Sequence, residues 1–462
     1  MLVPFIALIL INLIPKGKGA GWAFSLASLV FLAQVVAALA LFFIQGDPLP
    51  GRLGALLAFR LFLDKTSLVL LLSVGLVGLT ALSTGWALIK NSDQRLNFFS
   101  LLLISLTGIN GIALTTDLFS LYVFIEVVAL SSFVLIALFK ERDAYEGVFK
   151  YLVMSIVASV LMLSSISFFL LAANGTSLLA IKLAVGTSGS FVPQAALGLF
   201  VCGLLIKGGL IPFHGWLPDA YMTAPAPVSV FLAGIVTKAS GIFTLIKLVQ
   251  VVGLSAQLTD VLLVVGAFSI ALGALAALGQ KDMKRMLAYS SISQMGYIIM
   301  SLATGTTLGI AAALFHFFNH AVFKTQLFVN AAAVEEQTGT RDMDKLGGLA
   351  QRMPVTGTTS VVAALSTAGL PPLAGFWSKL LIILALWGTA HYSYAVVALL
   401  FSVLTLAYFL SMQRRVFFGQ LAAGLENVRE GAPGLVVPAV ILTAVTVGVG
   451  LVAPFILRIF IK

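Results

Sequence analysis

The sequence predicts an all-α polytopic membrane protein of about 14 transmembrane helices, arranged as two inverted five-helix repeats that each contain a broken helix. Three observations carry this. Of 462 residues, 60% are hydrophobic and only 10% charged, and the mean hydropathy is +1.09, a balance soluble domains do not reach. The apolar runs are continuous over ~20 residues, where a membrane barrel would show alternating decamers. One Pro/Gly interruption of an apolar run occurs twice, in matching form.

Taken in order, the apolar windows lie near 2–15, 22–44, 66–89, 98–115, 118–139, 147–173, 195–216, 227–250, 258–279, 286–304, 308–334, 356–373 continuing to 389, 392–413 and 434–460. The first, Leu2 to Pro15, has no basic leader and no small-residue cleavage site, so it is expected to be a retained short span. Connections are short. The longest, Ile44 to Lys65 and Gly419 to Pro433, carry Gly, Pro and scattered charges. One transmembrane domain is therefore expected over 1–462, divided into N-terminal helices (1–97), a first repeat (98–250), a second repeat (258–418) and a C-terminal helix (434–462).

The repeats are visible in two pairs of segments. Gly209-Leu210-Ile211-Pro212-Phe213-His214-Gly215-Trp216 recurs as Gly369-Leu370-Pro371-Pro372-Leu373-Ala374-Gly375-Phe376, and Val148-Phe149-Lys150 recurs as Val322-Phe323-Lys324. The order and spacing are similar, and each unit holds about five spans. Five is odd, so the second unit runs inverted. Pro212, Gly215, Pro371 and Pro372 mark where the helices break, because proline removes a hydrogen bond that lipid cannot replace.

The formal charge of +10 follows from orientation, and no nucleic-acid partner is expected. With the N-terminus outside, the inner loops hold Lys16, Lys18, Lys90, Arg95, Lys140, Arg142, Lys281, Lys284, Arg285, Arg341, Lys345, Arg352, Arg414, Arg415 and Arg429. The outer side holds only Arg52, Arg60, Lys65, Lys182, Lys247, Arg458 and Lys462. That bias places both termini outside the cytoplasm, in a cell inner (plasma) membrane. The dense basic cluster Lys281, Lys284 and Arg285 reads as an anchor of the same kind, with docking of a soluble partner as the alternative. Lys247, near a span end, reads as an interface anchor.

The remaining charges sit inside spans. A lysine at mid-bilayer costs roughly 2.5–3.5 kcal/mol on the insertion scale, so such residues face protein or water. Glu126 lies well inside its span, either as a structural ion-pair partner or as a protonatable group. Lys207 precedes the first break, and Lys238 lies at mid-span beyond it. Snorkelling is open to Lys207 and harder for Lys238. Lys379 follows the second break, either exchanging protons or pairing with a backbone carbonyl. His316, His320 and Lys324 share one helix face at four-residue spacing. The two histidines fit a proton relay better than a metal site, because no third ligand stands nearby and Lys324 would repel a cation. His214 would cap the break or join the relay, and Lys150 lies close to a span end. No phosphate loop, dinucleotide fingerprint, nucleophile triad or metal motif is present, and the single Cys202 excludes a cysteine-held cluster. With no catalytic redox site of its own, the chain is expected to move ions.

These residues also carry a resemblance. FHGWLPDAYMTAPAPVSVFLAGIVTK (213–238) resembles the HGWLPDA-x4-AP signature of the antiporter-like membrane subunits of respiratory complex I, Mrp-type cation/proton antiporters and membrane-bound hydrogenases. QKDMKRMLAYSSISQMGY (280–297), FHFFNHAVFKTQLF (315–328), RDMDKLGGL (341–349) and GLPPLAGFWSKLLI (369–382) resemble further signatures of that family. The resemblance implies a 14-helix fold with two inverted five-helix repeats. It also implies an ion path through a glutamate on the fifth helix, lysines on the seventh and eighth, histidine or lysine on the eleventh, and lysine or glutamate on the twelfth. Those roles fall on Glu126, Lys207, Lys238, His320 with Lys324, and Lys379. The implied protein is a proton- or Na⁺-translocating subunit among other membrane subunits. Fe–S clusters, and a Ni–Fe or flavin centre, would lie in partner chains and none in this one. A subunit of a Na⁺/H⁺ antiporter without redox partners is the alternative. The chain ends at Lys462 directly after its last span, as expected of a compact inner subunit.

Overall fold

A computed structural model describes residues 2–13, 19–44, 49–50, 62–173, 175–187 and 191–461. Pro15, Lys16, Lys18, Arg52, Arg60 and Lys462, all named above, lie outside the described residues.

The helices are α1 (Leu2–Asn12), α2 (Ala20–Ile44), α3 (Lys65–Leu88), α4 (Ser92–Leu114), α5 (Leu118–Ile136), α6 (Arg142–Ala173), α7 (Leu178–Thr187), α8 (Phe191–Lys207), α9 (Trp216–Thr223), α10 (Ala226–Phe231), α11 (Thr244–Val252), α12 (Ala256–Leu278), α13 (Met283–Ala303), α14 (Thr307–Thr338), α15 (Pro354–Ala368), α16 (Ala374–Gly388), α17 (Tyr392–Val416) and α18 (Pro433–Ile461). Nine helices among the described residues are long and apolar enough to cross a membrane. A two-residue antiparallel pair, β1 (Leu49–Pro50) with β2 (Phe62–Leu63), precedes α3. Helix starts follow capping chemistry. The carboxylates of Asp64, Asp117 and Asp282 accept the first free amides of α3, α5 and α13.

Several elements differ from the sequence expectation. The span expected over 195–216 ends as a helix at Lys207, because Gly208 and Gly209 leave it and Pro212 cannot continue it. The segment between α6 and α8, expected as a connection, contains α7. α14 runs past the expected 334 to Thr338 and stops at Gly339 in the left-handed conformation.

The two breaks fold alike. Gly209 has φ +65° and Gly369 φ +90°, so both occupy the left-handed region that ends a helix. The amides of Leu210 and Leu370 bond five residues back, to the Leu205 and Leu365 carbonyls, both at 3.1 Å. The peptide bonds preceding Pro212 and Pro372 are both cis.

The core is organised around the segment Ala226–Val252, whose apolar window is wholly buried. Between α10 and α11 this segment widens into two π-helical stretches, Leu232–Val236 and Lys238–Phe243. Glycines let other backbones approach it. A Cβ on Gly241 would lie 2.5 Å from the Gly208 amide nitrogen and 2.8 Å from the Leu204 carbonyl oxygen. The end of α8 and the Lys238 stretch therefore touch backbone to backbone, as small residues allow between membrane helices. Large apolar side chains such as Phe149, Val160, Leu171, Leu400 and Val403 stay exposed on the outer faces of α6 and α17, where hydrocarbon would cover them.

Gly241→Val is expected to force α8 and the π-helical stretch apart, at about 1–3 kcal/mol or more. The melting temperature of the solubilised protein checks this, and an unchanged value would contradict the close contact.

Candidate functional site

The buried charges fall into two groups. The first is an ion pair. Lys207, the last residue of α8, lies 2.9 Å from Glu126 Oε1 on α5 and donates to Ser155 Oγ on α6 at 2.5 Å. One turn further along α6, Ser159 donates to the same Glu126 oxygen at 2.7 Å and to the Ser155 carbonyl at 2.8 Å. The Lys207 side chain is 1% exposed, whereas Glu126 is 24% exposed on the outer face of the bundle. Lys207 thus uses an acid and a hydroxyl, and the carbonyls of its own broken helix go elsewhere. The Trp216 indole donates to the Ile206 carbonyl at 3.2 Å.

The second group is basic throughout. Lys238, His316, His320, Lys324 and Lys379 are all buried and within electrostatic reach of one another through His320. Lys238 donates to the Ala233 carbonyl of its own π-helical turn. Lys324 donates to Ser290 Oγ and, at 3.1 Å, to the Leu287 carbonyl. His316 Nδ1 meets Ser378 Oγ at 2.9 Å, and its ring stacks 6.2 Å from that of His320. Lys379 donates to the Ala368 carbonyl at 3.3 Å and to Ser402 Oγ at 3.2 Å. Among the described residues, no carboxylate acts on His320 or Lys324. At an effective dielectric of about 20, two like charges about 8 Å apart repel by about 2 kcal/mol, so charging one such group disfavours charging its neighbour.

The cluster also holds polar atoms that no protein group satisfies: His316 Nε2, both ring nitrogens of His320, both polar atoms of the Gln294 side chain, and Ser240 Oγ. The Tyr408 hydroxyl lies beside Gln294, Ser290 and Thr405 without a formed hydrogen bond. Buried polar atoms of this kind are ordinarily bonded to internal water.

No direct contact joins Lys207 to Lys238. Their backbones meet instead, at Gly208 and Gly241. Pro212, Gly215, Pro371 and Pro372 are exposed at the break turns and bear no charge contact. His214 stands apart from the basic group, its ring 6.4 Å from Tyr289.

Two expectations are corrected. Lys247 is not an interface anchor: it is 4% exposed and donates to the carbonyls of Ile112, Ala113 and Thr115 at 3.2, 2.6 and 2.6 Å, capping the end of α4. Lys284 is not a surface anchor either. It is 2% exposed, pairs with Glu335 at 3.0 Å, and lies 3.4 Å from the Ala224 carbonyl. Arg341 completes that knot, 3.2 Å from Asp282 and 3.6 Å from Glu335, and donates to the Met222 carbonyl at 2.7 Å. Lys150, close to the start of α6, bridges Glu146 and Asp219, both at 2.7 Å. In the adjoining loop, the Arg415 guanidinium and then the Lys281 ammonium hold the Asp344 carboxyl below its ordinary range.

Sequence reasoning missed Ser159, Ser402, Tyr297 and Glu335. Three are neutral, and nothing in their spacing separates an acceptor aimed at an ammonium from ordinary helix-facing polarity. Glu335 carried a signal: it is a carboxylate in the last turn of a span.

Comparisons with known proteins converge. A family model described as NADH:quinone oxidoreductase/Mrp antiporter, TM matches residues 115–405. NADH-quinone oxidoreductase subunit N of Desulforudis audaxviator is 35% identical over 448 residues, covering 92% of this chain and 88% of that protein. A Na(+)/H(+) antiporter subunit of Alkalihalophilus pseudofirmus is 32% identical over 406 residues, covering 87% and 81%. A chain of an archaeal respiratory membrane complex, the membrane-bound sulfane sulfur reductase, superposes with a TM-score of 0.88 at 28% identity, covering 99% of this chain and 76% of that one.

Lys247→Met is expected to strip donors from three buried carbonyls and destabilise the protein by about 1–3 kcal/mol, with ion transport per folded molecule unchanged. Thermal unfolding and a transport assay on the same preparation check this. Loss of transport without loss of stability would contradict the capping role.

Proposed function

Because the chain belongs to the membrane-subunit family shared by NADH:quinone oxidoreductases and Mrp antiporters, we propose that it carries protons across the membrane along the Glu126–Lys207 pair and the Lys238–His320–Lys324–His316–Lys379 cluster. It is a multi-pass subunit that works beside other membrane subunits. In this reading α8 with α9, and α15 with α16, are two broken membrane-crossing helices. The chain then has about 14 spans in two inverted five-helix units, with both termini outside the cytoplasm.

One observation carries the reading: among the described residues, five basic side chains are buried together with no acid among them, and their histidine nitrogens have no protein partner save His316 Nδ1. A purely structural charge is normally paired with an acid or, like Lys247, met by three carbonyls, and none of these five is. This cluster is held by carbonyls and hydroxyls, which bind an ammonium without fixing its proton.

The pair and the cluster work by mutual electrostatics. While Glu126 holds Lys207, the charge of Lys207 is neutralised. Drawing Glu126 away, towards the face where it is partly exposed, leaves Lys207 positive behind the Gly208–Gly241 contact. That charge pushes a proton from Lys238 through water to His320, Lys324 and Lys379. When the pair re-forms, the cluster takes up a proton again. Electron transfer that powers the cycle would occur on Fe–S clusters, with a Ni–Fe or flavin centre, in partner chains of a complex-I-like oxidoreductase or membrane-bound hydrogenase. The 35% identity to an NADH-quinone oxidoreductase subunit supports this assembly. The 32% identity to an antiporter subunit supports a second, a Mrp-type assembly without redox partners that exchanges Na⁺ for H⁺.

Two outcomes are expected. Glu126→Ala and Lys238→Ala should each abolish coupled pumping in membrane vesicles while the complex still assembles, and normal pumping in both would refute the path. The complex purified in mild detergent should contain iron and acid-labile sulfide. A colourless assembly of hydrophobic subunits alone would shift the assignment to the antiporter.

A further inference from the structure

Lys379 ends in a pocket of the same kind of groups as Lys324, a carbonyl, a hydroxyl and an aromatic face, but its ring lies nearer, 4.6 Å away against 5.7 Å for Phe409 at Lys324. Three groups surround its ammonium. The Ala368 carbonyl, the last of α15, accepts from it at 3.3 Å. Ser402 Oγ on α17 accepts from it at 3.2 Å and spends its own hydrogen on the same Ala368 carbonyl at 2.8 Å. The Tyr297 ring on α13 presents its face 4.6 Å away, and its hydroxyl is committed to the Ala398 carbonyl at 2.9 Å. Each of these three groups is thus an electron-rich acceptor. None of the three has a donor left over for a carboxylate or for the lone pair of a neutral amine.

Gly369 makes room for the lysine stem. A Cβ there would lie 3.0 Å from Lys379 Cδ, on a backbone with φ +90°. The two breaks, otherwise alike, diverge at this point. At the first, Trp216 donates to the end of its half-helix through its indole; its counterpart Phe376 has no ring N–H, and Lys379 with Ser402 serves the half-helix end instead.

We propose that Tyr297, Ser402 and the Ala368 carbonyl form a cation cage that holds Lys379 at the second break, and that Tyr297 and Ser402 are positioning residues for its proton exchange. The cage accepts an ammonium and rejects a carboxylate, which explains why this position carries lysine. Tyr297 also links the cage to the relay, because its ring lies 6.0 Å from that of His316. A proton leaving Lys379 leaves a neutral amine that the ring face and the carbonyl hold only weakly, so release of the proton and release of the side chain are coupled. The inference rests on the proposed proton path and adds to it the residues that set its last station.

The test is proton translocation in membrane vesicles carrying the assembled complex. It is followed with a ΔpH-sensitive dye and normalised to complex content. Tyr297→Phe keeps the ring and loses the Ala398 bond, and should pump within about twofold of wild type, whereas Tyr297→Leu should lose about tenfold or more. A structural role for the hydroxyl would impair both variants alike, since neither keeps the Ala398 bond. Ser402→Ala should be impaired and Ser402→Thr restored. Lys379→Glu should be as inactive as Lys379→Ala. Equal impairment of both Tyr297 variants, wild-type pumping by Tyr297→Leu, or an active Lys379→Glu would overturn the cage. If Tyr297→Leu does not assemble, the Ser402 pair decides. The control is Lys379→Ala: wild-type pumping there removes the proton path itself, whereas an inactive Lys379→Ala beside a normal Tyr297→Leu removes only the cage.

Discussion

An ammonium group removed from water must find acceptors, and in hydrocarbon only the protein can supply them. The rest of this structure depends on that constraint. The buried lysines are met in several ways. Lys207 has a carboxylate and a hydroxyl, Lys238 a carbonyl of its own π-helical turn, Lys324 a hydroxyl, a carbonyl and the Phe409 ring at 5.7 Å, and Lys379 a carbonyl, a hydroxyl and the nearer face of Tyr297. Lys247 meets three carbonyls at the end of α4. The broken helix at Lys379 and the π-helical stretch at Lys238 belong to the same solution, because departure from α-helical bonding frees carbonyls that an ammonium can use.

The two broken helices tie these sites into one body. The backbone contact of Gly208 with Gly241 joins the end of α8 to the turn that carries Lys238. The knot of Lys284, Glu335 and Arg341 grips the Met222 and Ala224 carbonyls at the junction of α9 and α10. Glu335 lies on α14, the helix of His316, His320 and Lys324. The first break thus touches the second group of charges in two places, by backbone contact at the Lys238 turn and through the ion-pair knot at α14.

Much of this was legible in the sequence for a simple reason: charges and prolines are rare in apolar spans, so each stands out against its background. Glu126, Lys207, Lys238, Lys324 and Lys379 were visible that way, as were the paired breaks at Pro212 and Pro372. The limits had a physical origin too. Lys247 and Lys284 looked like anchors because sequence position near a span end does not reveal whether a side chain points along the membrane surface or inward onto a carbonyl. The π-helical turns of 232–243 left no mark, since their residues are as apolar as those of an ordinary helix. Ser159 and Ser402 were indistinguishable from the hydroxyls that hold membrane helices together, and their roles appear only once a charge is seen beside them.

The central claim is that a hydrated row of basic groups connects Lys238 to Lys379. The most direct measurement is a map of the assembled complex at a resolution that shows ordered water. The account predicts water within hydrogen-bonding distance of His316 Nε2, of both His320 nitrogens and of the Gln294 amide, forming a connected file between the two lysines. A dry interior, with those atoms bonded only to protein groups and apolar side chains closing the gap, would contradict it.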